Sequence, residues 1–429
     1  MEAVHEEIRS GYKLTKIGWI PEDWKIAKLS SLGNWRGGGT PSKANSFFWV
    51  NGTIPWASSQ DIKEVVLKGT TYLITQNAIK ESSANLIPAN NLLMVTRSGI
   101  LQHTFPVTKI LFAVAINQDI KALIINKEFE VDFVQNVLIL RNSHILKTCS
   151  KVGTTVESIE YSWLKDYQVP IPPLKEQKAI AQVLSTWDKA IEILTQLIAE
   201  KQQKKKALMQ QLLTGKKRFP AFTKASAGKP GSEGEWKEFT YMELLKEVKR
   251  PVKWDDKELY HLVSVRRRSG GLFERDSLYG HQILTKKLGT AKAGDFLISK
   301  MQILHGASAV VTGEFDDKKI SGSYIAVRAR NEKVLDINFL DWYSKMPYFY
   351  HQTYISSYGV HIEKMTFDFK SFLKLTMKAP DIEEQGLIVS TLQKAEDEIK
   401  IFNQKLDALK DQKKGLMQQL LTGKKRLKY

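Results

Sequence analysis

KKALMQQLLTGKKR, residues 205–218, returns as KKGLMQQLLTGKKR at residues 413–426, with Ala207 against Gly415 the one difference in fourteen positions. This is an internal duplication. At the same offset of 208 (413 − 205), identities run back through Ile180/Ile388, Gln177/Gln385 and Glu176/Glu384 to Pro172/Pro380. Each copy therefore opens just after a proline and closes on Thr-Gly, with Gly215 and Gly423 standing where a helix ends.

Between those stops the apolar residues recur every three or four positions: Leu184, Trp187, Ile191, Leu194, Ile198, Leu208 and Leu212, then Leu392, Ala395, Ile399, Phe402, Leu406, Leu409, Leu416 and Leu420. A seam that narrow, held over several heptads, predicts two long helices that pack along each other. Each has about 40 residues, or roughly 60 Å. The first helix ends where a second globular segment begins and the second leaves from that segment, so the pair is expected to run antiparallel. Lys205 and Lys413 interrupt the seam at the same place in both copies. Either they snorkel past its edge or they fix the register.

The chain has 429 residues, enough for two domains with cores of their own. Lys and Arg exceed Asp and Glu by 64 − 46, giving +18, a balance that favours a polyanionic partner. Cys149 is the single cysteine, which excludes a disulfide framework and suits a reducing cytosol. No apolar run approaches the ~20 residues of a membrane span, and residues 1–13 lack the apolar core of a signal peptide. A cytoplasmic protein with no membrane partner is expected.

Residues 1–20 are polar and read as an arm or a partly ordered lead-in. From Pro21 to Ile171, short β-branched and apolar runs such as Leu92–Val95 and Ala122–Ile125 lie between turn signals, and Phe133–Leu146 reads as a short helix. Residues 219–235, rich in Gly, Ser, Ala and Pro, read as a linker. The second globular segment echoes the first: Trp236-Lys237 repeats Trp24-Lys25, and Asp295–Ile298 with Ser299-Lys300 resembles Asn91–Met94 with Thr96-Arg97. Gly359, Ile362, Met365 and Phe367 likewise resemble Gly153, Val156, Ile159 and Tyr161. Divergent heads on nearly identical stems suggest one task carried out on two targets.

This order of variable segment, copied helix, variable segment and copied helix resembles the specificity subunit of type I restriction–modification systems. The resemblance is carried by Pro21-Glu22-Asp23-Trp24, Ile54-Pro55-Trp56, Asn91-Leu92-Leu93 through Thr96-Arg97-Ser98-Gly99, Pro170-Ile171-Pro172-Pro173-Leu174 with Glu176-Gln177, and Leu212-Leu213-Thr214-Gly215. The second copy departs at Ala379-Pro380-Asp381-Ile382 but keeps Glu384-Gln385 in register. The resemblance implies an α+β fold, with two globular mixed α/β target-recognition domains joined by two long helices in an antiparallel coiled coil, an internal pseudo-two-fold repeat. Residues 1–171 would be the first target-recognition domain with its N-terminal arm and 172–216 the first spacer helix. Residues 217–378 would be the linker and second domain, and 379–429 the second spacer helix.

It further implies that each domain binds one half of a split target in double-stranded DNA, and that two modification (methyltransferase) subunits dock on the helices. Restriction subunits, ATP-dependent endonucleases, would join them. Cofactors would be absent from this chain, with S-adenosylmethionine, ATP and Mg in the partner subunits. The sequence agrees with a non-catalytic role. The one Pro-Pro pair, Pro172-Pro173, has neither the acid nor the aromatic of an amino-methyltransferase loop, and no G-x-x-x-x-G-K-[ST] run occurs. The eight histidines show no pair at metal-ligand spacing. Asp381, Glu398 and Lys400 imitate a nuclease triad in order, but on one helix Asp381 and Glu398 would stand roughly 25 Å apart.

Among DNA-binding candidates, Arg36-Gly37-Gly38-Gly39-Thr40-Pro41-Ser42-Lys43 is a loop that brings main-chain N–H groups, Thr40, Ser42 and Lys43 toward phosphates, or else a flexible tight turn. Ser58, Ser59, Gln60 and Asp61 offer donors and acceptors for base edges. Arg97 and Lys300 leave the same apolar run of the two copies, either as DNA contacts or as surface cations ending a strand. Arg266, Arg267 and Arg268 follow the apolar run Tyr260–Val265 and suit guanine and phosphate contacts. Lys216-Lys217-Arg218 and Lys424-Lys425-Arg426 lie at helix C-termini, where cations offset the macrodipole or meet phosphates. The alternative to a bipartite specificity subunit is a stand-alone coiled-coil DNA-binding regulator, which would bind its DNA tightly without a partner.

Overall fold

The structure, a computed structural model, describes residues 10–151, 153, 156–223 and 236–427, with Glu363 described in its backbone alone. The copied stretches form helices Leu174–Leu212 and Ile382–Leu420, 39 residues each. Their ends follow from the copied Thr-Gly. The Thr214 and Thr422 hydroxyls donate to the Gln210 and Gln418 carbonyls, and Gly215 and Gly423 take φ of 69° and 73°, the left-handed conformation that stops a helix.

The chain falls into two compact units, Met1–Thr195 with Gln404–Tyr429, and Gln196–Asn403. Each holds one head, part of its own stem helix and part of the other. In the first unit one sheet orders its strands Gly33–Gly37, Ile120–Ile125, Asn91–Val95, Val107–Ile110 and Val66–Leu67. A second sheet orders Tyr72–Ile74, Ile54–Ala57, Val114–Ile116 and Asn85–Ile87, with the middle two strands parallel. The second unit has the order Leu245–Glu247, Tyr324–Ala329, Phe296–Ser299, Ser308–Val310 in one sheet and Leu272–Tyr279, Leu259–Val265, Lys319–Ser321, Leu288–Thr290 in the other, again with the middle pair of the latter parallel. Both heads also close a two-stranded ladder at the stem, Lys25–Lys28 on Gln168–Ile171 and Lys237–Thr240 on Thr376–Ala379.

The larger core of each unit joins sheet, helices and stem. In the first, Trp24, Leu92, Phe133 and Leu138 pack with Ile180 and Leu184 of one stem helix and Leu420 and Leu421 at the end of the other. In the second, Tyr241, Phe296, Phe339 and Phe372 pack with Ile388 and Leu392 and with Leu212 and Leu213. Along the stems Leu184, Ile198, Leu392, Ile399 and Leu406 are buried, while Trp187, Ile191, Leu194, Leu208, Phe402 and Leu416 are half-buried.

The seam lysines do not snorkel to water. In the second unit Lys205 pairs with Glu396 and Lys201 Nζ lies 2.5 Å from Glu398 Oε1; in the first, Lys413 Nζ lies 2.5 Å from Asp188 Oδ1. The pairs are reciprocal under the repeat, since 188 + 208 = 396 and 205 + 208 = 413.

The copied Glu-Gln motif fastens stem to head. Gln177 is 1% exposed; its Oε1 accepts the Glu130 N–H at 2.9 Å and its Nε2 donates to the Pro172 carbonyl. Gln385 is 0% exposed, accepts the Asp336 N–H at 2.9 Å and donates to the Val334 and Pro380 carbonyls. The neighbouring glutamates are equally buried and take the arginine that ends the other copied stretch. Arg426 holds Glu176 at 2.6 and 2.8 Å and Asp23 at 2.8 Å, and the Trp24 indole N–H donates to Glu176 at 3.0 Å. Arg218 holds Glu384 at 2.6–3.2 Å. So the arginines of the two basic clusters belong to the stems and not to a phosphate surface.

Three sequence expectations need correction. Residues 12–21 are a β-hairpin and no arm, tied down by the Tyr12 hydroxyl donating to the Gly423 carbonyl at 2.9 Å; residues 1–9 lie outside the described ones. The expected helix Phe133–Leu146 is two, Val131–Leu140 and Asn142–Cys149, because the Asn142 side chain bonds the Phe105 N–H and carbonyl and draws the backbone out of line. Of the expected linker, Pro220–Thr223 is helical and 224–235 lie outside the described residues.

The glycine run is packed rather than flexible. A Cβ at Gly38 would stand 1.9 Å from the Ile116 carbonyl oxygen and one at Gly39 1.9 Å from Ser83 Oγ. Gly38→Ala should cost on the order of 2 kcal/mol or more, because main chain must move to admit the methyl. Urea denaturation checks this, and Gly69→Ala, whose Cβ meets nothing within 4 Å, serves as the comparison.

Candidate nucleic-acid interface

In the first head, several candidates collect at one end of the two sheets, around the turn Asn117–Asp119. Ile116 pairs with Ala57, so the turn that follows Ala57 lies beside Asn117, whose N–H donates to the Ala57 carbonyl at 3.0 Å. That turn is built by Asp61. One carboxylate oxygen accepts the Ser58 N–H and hydroxyl, the other the Thr71 N–H and hydroxyl. These hydrogen bonds, led by the Thr71 hydroxyl, outweigh the opposing effect of burial and hold the Asp61 carboxyl below its usual range. Ser58 and Asp61 are thus spent on the turn, whereas half-buried Ser59 and exposed Gln60 stand at its tip.

Thr40 donates to Gln118 Oε1 at 2.8 Å, and Lys121 Nζ donates to the Gln118 carbonyl at 3.2 Å. Arg97 Nε lies 3.7 Å from Asp119 Oδ1 with its side chain 63% exposed. Arg36 is exposed on the strand opposite Ala122, next to the Lys121–Gly37 pair. Thr40, Ser59, Gln60, Arg36 and Arg97, with Lys121 and Gln118 added, therefore supply a rim of cations, amides and hydroxyls of the kind that reads phosphates and base edges. Ser42 and Lys43 are exposed on a segment held elsewhere, by the Trp49 indole N–H donating to the Ser42 carbonyl at 3.0 Å.

In the second head the candidates are not gathered. Arg266, Arg267 and Arg268 occupy the turn between strands Leu259–Val265 and Leu272–Tyr279, all exposed, with Arg268 and Ser269 at positive φ of 58° and 54°. Arg266 turns back on its hairpin, donating to the Leu272 carbonyl at 3.1 Å and covering the Phe273 ring at 4.6 Å. The Arg268 N–H donates to the His305 carbonyl, and Arg268 borders a cleft of about 590 Å³ shared with stem residues Lys205 and Glu396. Lys300 lies in a different cleft, its Nζ donating to the Gly322 carbonyl at 3.1 Å.

Lys300 and Arg97 are not counterparts. The Thr96 N–H donates to the Asp119 carbonyl and the Ile159 N–H to the Thr96 carbonyl, whereas Lys300 does the same with Ser323 and Phe367. Lys300 thus matches buried Thr96, and Ile159 matches Phe367 rather than Met365. The echo is off by one residue at Arg97/Lys300, which in a strand exchanges the two faces, and by two at Ile159/Met365.

Sequence reading missed Lys121, Gln118, Lys249, Arg250 and Lys287, which lie at or beside strand ends and belong to no recognised motif. It also missed the chemistry of Glu176, Glu384, Arg218 and Arg426, although their shared offset of 208 was a signal in plain view. Among the described residues, no group of three or more His, Cys, Asp or Glu side chains is placed to hold a metal ion. Asp381 and Glu398 go to separate lysines, Lys237 and Lys201.

Residues 21–202 match the family model of the type I restriction modification DNA specificity domain. That match takes in the first head and most of the first stem helix. The chain is 37% identical over 166 residues to the EcoR124I/EcoR124II specificity subunit of Escherichia coli, covering 39% of this chain and 41% of that one. It is 24% identical over 455 residues to the putative MjaX specificity subunit of Methanocaldococcus jannaschii, covering 97% of each. The matched stretches span about two fifths of the length of the curated relatives at 30% identity or more, 41% in each. In fold it is similar to the S subunit of the type I system from M. genitalium, with a TM-score of 0.56 at 14% identity over 93% of this chain and 96% of that one. A chain from a structure concerned with complex assembly and conformational transition of the type I system gives 0.58 at 16% identity over 94% and 99%. Among the described residues, no helix is long and apolar enough to cross a membrane.

Proposed function

We propose that this chain is the DNA sequence-specificity subunit of a type I restriction–modification enzyme, in which each head reads one half of a bipartite duplex target. The observation that carries the reading is the double occurrence of one strand order and one stem joint under heads whose exposed residues differ. On this reading the two stem helices form an antiparallel coiled coil about an internal pseudo-two-fold, and the reciprocal lysine pairs fix its register. Residues 1–171 and 217–378 are the target-recognition domains, and 172–216 and 379–429 the spacers. Two methyltransferase subunits dock against the spacers and restriction subunits join them in the cytoplasm. S-adenosylmethionine, ATP and Mg belong to those partners, and this chain carries no catalysis of its own.

The chain alone should bind duplex DNA weakly and with steep salt dependence, gaining specificity with the modification subunit. A stand-alone regulator would instead show full specificity by itself in a competition assay. Exchanging residues 21–170 for the same region of a relative should change one half-site of the methylated motif and leave the other. Methylome sequencing of cells carrying the chimera reads this directly, and a change in both halves, or in neither, would overturn the one-head, one-half-site assignment.

A further inference from the structure

The second head contains a cleft of about 310 Å³ whose walls are the segment after strand Leu245–Glu247, the start of strand Leu288–Thr290 and the turn after Lys319–Ser321. Four cations line it, Lys249, Arg250, Lys287 and Lys300, against one carboxylate among the described residues, Glu247. Two of the cations build the walls. Arg250 is locked at 2.6 and 3.1 Å on Asp295, itself fully buried, and Lys300 Nζ is held by the neutral Gly322 carbonyl at 3.1 Å, with no carboxylate paired to it among the described residues. The other two reach into solvent. Lys249 lies 3.4 Å from Glu247 with its side chain 77% exposed, and no hydrogen bond or ion pair ties the exposed Lys287 ammonium to any described residue.

Two glycines sharpen the picture. A Cβ at Gly289 would meet nothing nearer than Ile320 at 3.6 Å, and one at Gly322 nothing nearer than the Lys287 carbonyl at 3.5 Å, both ordinary contacts at φ values any residue adopts. Neither packing nor backbone conformation calls for glycine here, in contrast to Gly38 and Gly39. With no side chain at either position, the main chain of this wall stays open to a ligand. Lysine ammoniums at different depths around a bare backbone suit a tetrahedral anion more than a base edge, which planar forked groups read.

We propose that this cleft seats a backbone phosphate of duplex DNA, an assignment that rests on the DNA-reading role given above and that locates it in the second head. At the register of Lys300 the first head has buried Thr96, so the two heads would contribute unequally to sequence-independent affinity.

The test is fluorescence anisotropy of the full-length chain on a duplex of about 30 base pairs across a salt series. Lys249→Ala/Lys287→Ala should flatten the slope of log Kobs against log salt by about 0.9 for the one phosphate released. It should also weaken binding by a similar factor on unrelated duplexes, because phosphate contacts carry no sequence information. Lys287→Arg should keep the parent slope. An unchanged slope in the double variant, with the parent binding normally, overturns the phosphate seat alone; a parent that binds no duplex overturns the specificity reading as well. A loss confined to one sequence would make the site a base reader. Inorganic phosphate at low millimolar concentration that raises the parent's melting temperature, with no change of slope in the variant, would make it a free-anion site. Either result overturns the proposal.

Discussion

Arg426→Ala is expected to lower the unfolding midpoint of the first unit by about 6–20 °C. Arg426 reaches Glu176, 0% exposed, through Nε and Nη2 at 2.6 and 2.8 Å, and Asp23 through Nη1 and Nη2 at 2.8 Å. Alanine leaves the Glu176 carboxylate buried with the Trp24 indole N–H as its remaining side-chain donor. Breaking one side of a buried pair costs about 3–5 kcal/mol, and each kcal/mol moves the midpoint by about 2–4 °C in a unit of this size. Adding Glu176→Gln should restore part of the loss, because a neutral amide is cheaper to bury than an unpaired charge. Thermal melts of the three variants measure this, and a double variant no better than Arg426→Ala would mean that packing of the guanidinium over Trp24 carries the effect. The hydrogen bond from Arg426 also holds the Asp23 carboxyl below its ordinary value of 3.8. A depressed carboxylate stabilises the fold above its unfolded value and loses that contribution as pH falls through its folded one. The part of the gap between parent and Arg426→Ala that comes from Asp23 should therefore be full at neutral pH and shrink below about pH 3.8.

Inserting seven residues after Ile198 and seven after Leu406 should leave an active protein with a longer spacer, while five at each place should inactivate it. Seven keeps the apolar seam in phase and five turns it away from its partner. Both insertion points lie between the ion-pair sets, so Lys201–Glu398 and Lys205–Glu396 stay together on one side and Lys413–Asp188 on the other. If the stems set the spacing, the added length is about 10 Å, at most about three base pairs. The methylated motif in cells with the modification partner reads the outcome. An active heptad variant that keeps the original spacer would show that the heads set the distance by themselves. Because duplex DNA turns as it rises, a variant that binds poorly until the DNA twists is also consistent with the ruler, and a second heptad in each helix separates the cases.

The helices were legible because local signals agree along their whole length: proline before, Thr-Gly after and a seam between. The strands Leu92–Val95 and Ala122–Ile125 were found within a residue or two for the same reason, as short buried runs between turn signals. The break at Arg141 was not, since it depends on Asn142 meeting Phe105, 37 residues away. The hairpin of residues 12–21 was hidden likewise, because its anchor on Gly423 lies 411 residues from Tyr12. At the candidate interface, residue type was visible and partner was not. Asp61 resembles a base reader until Thr71 and Ser58 are seen to occupy both its oxygens, and Arg266 resembles one until it folds over Phe273. The pairing of Arg97 with Lys300 failed because a one-residue slip leaves an apolar run looking the same while the hydrogen-bond register changes.

Gln177 and Gln385 meet their heads through main-chain groups alone: an N–H of Glu130 or Asp336 on one side and carbonyls on the other. Such a socket is blind to side chains. Any head that brings its backbone along the same path fits the same stem, whatever residues it shows to solvent, so the identity of what is read can be rewritten without refitting the handle. This gives a physical reason why one chain can carry two heads so unlike each other on stems that repeat the same joint and the same closing stretch.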